Sequence, residues 1–203
     1  MIGPLGVPRG LHEVLHEGAR SQRIDVVFDV YREDSIKNAE RENRGSASAV
    51  QFRNIAPGHR IQPWRKILSS SDNKTNLIRF LVAEWKTPEQ RDKLTDKQLY
   101  VTCEESCLCI TKRQWSEVAG LQSNQEEADT RMFLHAAHAA AEGYSAVVII
   151  ADDTNVLVLN LAFSADISCP LFQKCGTKNR VRYIDITKLH QALGDGVIII
   201  HKS

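Results

Sequence analysis

The run Ala146-Val147-Val148-Ile149-Ile150-Ala151 is apolar throughout, and a strand of that kind belongs in a sheet covered on both faces. It follows a segment that reads as a helix from Asn124 to Glu142. Asn124 stands at the N-cap, Glu126, Glu127 and Asp129 in the first turn, and Gly143 just past the end. Met132, Phe133, Ala136, Ala137, Ala140 and Ala141 recur at helical spacing. About seventeen helical residues span roughly 26 Å and six strand residues roughly 20 Å, so the short turn at Gly143-Tyr144 packs the two antiparallel. Glu127 and Asp129 at the helix start, and Asp152 and Asp153 after the strand, are then expected at one edge of the sheet. Open α/β sheets bind their ligands at that edge.

A further acid is expected beside them. Ile24 to Val30 is strand-like, and Asp29 stands near its end. If this strand runs parallel to the one at Val147–Ile150, Asp29 joins the same edge. A charged helix-like stretch, Ser35 to Arg44, follows, and the polar, small-residue stretch from Gly45 to Gly58 reads as a loop. Asp72 to Thr75 opens a helix with Leu77, Ile78, Phe80, Leu81, Ala83 and Trp85 on its apolar face, broken by Pro88. Leu99–Thr102 and Leu108–Thr111 read as strands, Asp153 to Leu161 as a short helix, and Ser164 to Lys178 as a loop. Val181–Ile186 reads as a strand, and Thr187–Leu193 as a helix ending at Gly194.

Alternating strands and helices predict an α/β fold, a mostly parallel central sheet flanked by helices. Residues 1–22 form an N-terminal extension in this reading, and residues 23–203 one domain with a helical and loop insertion at about 45–98. The formal net charge of +1 provides no global attraction to nucleic acid or membrane, so any such partner must act through a local patch. Neither a membrane span nor a signal peptide is legible, and an intracellular protein, nuclear or cytoplasmic, is expected. The five cysteines match no common zinc pattern and read as buried or idle thiols. His135 and His138 share a helix face without a third ligand at matching spacing.

Carboxylates gathered at one edge repel each other unless a cation neutralises them, and Mg²⁺ or Mn²⁺ suits an all-oxygen donor set. Such ions support phosphoryl chemistry on nucleic acid. The competing account is that acids at a helix start complement its dipole and that Asp153 caps the helix after it. Residue types alone leave the two open.

Glu127-Ala128-Asp129, a helix, a buried strand and Asp153-Thr154-Asn155, in that order, resemble the Glu-Ala-Glu and Asp-x-Asp pair of the flap-endonuclease (XPG-type) nucleases of the PIN-like superfamily. Val27-Phe28-Asp29 and the basic stretch after it are similar to that family's second strand, and Tyr183 to Leu189 to the strand and helix after its second acidic motif. The chain is also similar to uncharacterised animal proteins with Glu-Ala-Asp-Thr-Arg and Asp-Asp-Thr-Asp-Val motifs. The resemblance covers about residues 24–44 and 120–194. It implies a PIN-like fold and hydrolysis of DNA or RNA phosphodiesters. Asp29, Glu127 and Asp129 would hold a first Mg²⁺ or Mn²⁺, and Asp153 a second.

Three departures set the expectation for activity. Asn155 replaces an acid of the family. Residues 1–22 contain no counterpart of the family's first acidic strand, and the chain stops before a further metal-binding Asp. The expected protein is therefore a nuclease fold with impaired catalysis, or a fragment of a longer enzyme. Arg32, Lys37, Arg41 and Arg131 are the candidate phosphate contacts, against a reading in which they pair with neighbouring acids. A non-catalytic nucleic-acid-binding or interaction module is the alternative. A sugar-nucleotide transferase using Asp152-Asp153 is a weaker one, since no Gly-rich phosphate loop occurs.

Overall fold

A computed structural model describes residues 10–31, 70–176 and 180–194. The fold is α/β. Its contacts divide the chain into two compact units, Met1–Ala128 and Asp129–Ser203, each with its own sheet.

The first unit contains α1 (Leu11–Glu17), β1 (Arg23–Val26), α2 (Ser71–Trp85), α3 (Pro88–Asp92), β2 (Gln98–Cys103), β3 (Ser106–Ile110) and β4 (Trp115–Glu117). Its strands lie in the order β1-β2-β3-β4. β1 pairs parallel with β2, and the other two pairings are antiparallel. The two strands read from the sequence at Leu99–Thr102 and Leu108–Thr111 pair as a hairpin that closes through Glu104-Glu105, and Glu104 takes a left-handed φ of 54° to make so tight a turn. One face of the sheet carries Val26, Leu99, Val101, Leu108 and Ile110, which pack with Trp85, Ile78 and Val82 of α2, Leu94, and Leu11 and Val14 of α1. Pro88, expected to break the helix of residues 72–85, sits in the first turn of α3, where its missing N–H costs nothing. The opposite sheet face holds Arg23, 8% exposed. Its guanidinium donates to Asp25 through Nε at 2.9 Å and Nη2 at 2.8 Å, and lies 3.8 Å from the Tyr100 ring centroid. A charge that deep persists because it is paired and stacked.

The second unit contains β5 (Val147–Ile150), α5 (Thr154–Phe163), β6 (Leu171–Cys175), β7 (Arg182–Asp185) and α6 (Ile186–Leu193), together with α4 (Ala128–Ala141), whose first residue closes the first unit. β5 pairs parallel with β6, and β6 antiparallel with β7. Phe133, Ala136, Ile149, Val156, Leu171 and Ile186 form its core.

Two expectations are corrected in this unit. β5 is not buried on both faces: Ile149 is 6% exposed and Val148 47%. Residues 164–178 are not all loop, because β6 lies within them. Their polar composition conceals a strand whose inward positions are Leu171 and Gln173. Gln173 is tolerated inside because its Oε1 accepts from Asn160 Nδ2 at 2.8 Å and its Nε2 donates to the Ala151 carbonyl at 3.0 Å. Among the described residues, no helix is long and apolar enough to cross a membrane.

Leu99 has no exposed surface and faces the α2 layer. Leu99→Ala is expected to cost about 2–5 kcal/mol by leaving a cavity. Urea denaturation followed by far-UV circular dichroism measures it.

Candidate functional site

The backbone leaves β1 at Val26, and the next few residues have no strand ladder to satisfy them. They find partners far away in the chain. Phe28 N–H donates to Thr102 Oγ1, and Val30 N–H to the Glu126 carbonyl, both at 2.8 Å. The Asp29 carboxylate accepts twice. Oδ1 takes the backbone N–H of Ala128 at 2.8 Å, and Oδ2 the Tyr31 hydroxyl at 3.2 Å.

The helix beginning at Ala128 is thus capped by a carboxylate 99 positions upstream. Asn124, the expected cap, lies ahead of the helix. The first N–H groups of a helix lack partners within it and carry partial positive charge, so an ionised Asp29 satisfies both requirements. Ala128 is the residue between Glu127 and Asp129. The strand-end acid and the acid-led helix start therefore meet through the backbone of that motif. Glu127 is exposed, and Asp129 is half-buried in the first turn.

The acids after β5 have similar local duties. Asp153 is the N-cap of α5, and its Oδ1 accepts from Asn155 N–H at 2.8 Å. Asp152 Oδ1 accepts from the N–H of Gly176, just beyond β6. Gly176 has φ 94°, and a Cβ there would lie 2.0 Å from the Arg180 carbonyl oxygen, so this turn requires glycine. Asn155 contributes its backbone N–H to the Asp153 cap.

A Mg²⁺ or Mn²⁺ ion would need several of these carboxylates within reach of one point. Asp29 has both oxygens engaged by protein donors, and Asp153 and Asp152 each hold a backbone N–H. Among the described residues, no group of three or more His, Cys, Asp or Glu side chains is placed to hold a metal ion.

Of the expected phosphate contacts, Arg32, Lys37 and Arg41 lie outside the described residues, as do the helix-like stretch 35–44 and the loop 45–58. Arg131 is 1% exposed and presents no surface to a phosphate. Sequence reasoning passed over Lys112-Arg113-Gln114-Trp115, whose signal was the closeness of two cations to an aromatic.

No protein-family model, curated protein or solved structure matches this chain.

Asp29→Ala removes the cap while leaving the backbone able to form the helix. The expected loss is about 0.5–2 kcal/mol of stability, with faster amide hydrogen exchange at Ala128, read by two-dimensional NMR. Unchanged exchange at Ala128 would contradict the capping role.

Proposed function

We propose that this chain is a PIN-like nuclease-fold protein that binds nucleic acid and in which phosphodiester hydrolysis is impaired. The observation that carries the reading is the Asp29–Ala128 hydrogen bond. It joins the end of the first strand to the Glu127-Ala128-Asp129 turn, the two elements whose acids resemble the first metal site of that family. No local pattern in the chain requires them to meet.

Impairment follows from what the acids do instead. A carboxylate that holds a helix N–H has its orientation and part of its lone-pair capacity committed to that donor. Asp29 holds the Ala128 N–H and the Tyr31 hydroxyl, and Asp153 the α5 cap. At position 155 the chain offers a neutral amide in place of an anionic ligand, a weaker donor for a hard dication. The fold then serves as a nucleic-acid-binding module.

Fluorescein-labelled flap and single-stranded DNA and RNA, each with and without Mn²⁺, test both halves of this reading. The expected result is binding that weakens as salt rises, with a slope of about −0.7 per neutralised phosphate on a single strand, and no Mn²⁺-dependent cleavage. Absence of binding at low salt would overturn the nucleic-acid reading. Mn²⁺-dependent cleavage abolished by Asp29→Ala would overturn the impairment and make the chain an active nuclease.

A further inference from the structure

We propose that one corner of the first unit is a contact site for single-stranded nucleic acid, with Trp115 stacking on a base and Lys112 and Arg113 meeting the adjoining phosphates. The proposal rests on the nucleic-acid reading above but assigns it to a surface separate from the acid-led helix.

The corner is built by the turn between β3 and β4. Ile110 pairs with Trp115 across the ladder, and the turn closes one step further on. Thr111 N–H and Thr111 Oγ1 both donate to the Gln114 carbonyl at 2.8 Å, and Gln114 N–H donates back to Thr111 Oγ1 at 3.1 Å. Lys112 and Arg113 are left as the two residues at the tip, both exposed. Arg91 of α3 fixes the tip from outside the hairpin, its Nη1 donating to the Arg113 carbonyl at 2.8 Å. A tip tied at both ends presents its cations with little remaining backbone freedom to lose on binding.

The charges there are largely uncommitted. Arg113 has no side-chain partner among the described residues. Lys112 Nζ reaches Asp92 Oδ1 at 4.0 Å between two exposed side chains, a pair that counts for little in water. Trp115 is 46% exposed although it continues the face that carries Ile110, and Lys86 Nζ lies 4.3 Å from its ring centroid. Glu117, two residues along the same strand face, is the acid nearest the indole in sequence. An indole held at the rim of a core, flanked by a lysine and preceded by a clamped basic tip, is the pairing of stacking platform and cations that single strands use. The cations attract phosphate, and an exposed indole accepts any base. A peptide ligand would need unpaired backbone along a longer edge than the three residues of β4 provide.

Fluorescence anisotropy of the full chain with labelled oligothymidylate and oligouridylate of roughly fifteen nucleotides, at low salt, tests the site. Trp115→Ala is expected to weaken binding by about 5- to 150-fold, the range for one stacked base, and Trp115→Phe to recover most of it. Lys112→Ala/Arg113→Ala is expected to lower the salt slope by about 1.4, two phosphate contacts on a single strand. The double variant lies on an exposed turn and keeps the test intact should Trp115→Ala unfold. Affinities within twofold of wild type in both variants, with the salt slope of the double variant unchanged, would overturn this site while leaving nucleic-acid binding standing. No binding by the wild-type chain would overturn both.

Discussion

The short segment after β1 must place its polar groups somewhere once it leaves the ladder. A buried N–H without a partner costs about 1–3 kcal/mol, and this segment makes its bonds with distant parts of the chain. Phe28 N–H donates to Thr102 on β2, the Asp29 carboxylate accepts the N–H of Ala128, and Val30 N–H donates to the Glu126 carbonyl. The first anchors the segment beside the parallel β1–β2 pair, and the other two set where the acid-led helix begins. Everything proposed about Asp29 and the Glu127–Asp129 turn depends on this set of bonds.

In the second unit, a different polar arrangement has the corresponding role. The Ala151 carbonyl at the end of β5 accepts from Gln173 on β6, which accepts from Asn160 on α5. Strand end, neighbouring strand and helix are held in register by a chain of amides inside an apolar core. Asp152 and Asp153 follow Ala151 directly, and each takes a backbone N–H of its own. The acidic residues next to β5 are thus tied to the same structural joint that aligns the sheet with α5.

Capping and metal binding put the same side chains in the same positions, which is why the two accounts of the acids could not be separated by residue type. Both predict acids at helix starts, and both favour ionised carboxylates. They differ in what the oxygens touch. Asp29 and Asp153 touch N–H groups. The Asn155 backbone satisfies the Asp153 cap whatever its side chain is.

Much of the local structure was legible in the sequence. The hydrophobic period of α2, the strands β2 and β3, and the helix–turn–strand from α4 to β5 all follow from side-chain spacing, a short-range property of the chain. β6 was hidden because Gln173 reads as polar until Asn160 and the Ala151 carbonyl satisfy it. Helical spacing records which residues share a face and not which face turns inward, so the 1% exposure of Arg131 is a tertiary result. The sequence by itself determined that Asp29, the Glu127–Asp129 turn and Asp153 would stand at element ends, since caps and breakers act within a few residues. Only the tertiary structure decided that Asp29 reaches Ala128 and gives both oxygens to protein donors, because partners 99 positions apart are chosen by packing and by the need to satisfy buried backbone, not by local pattern.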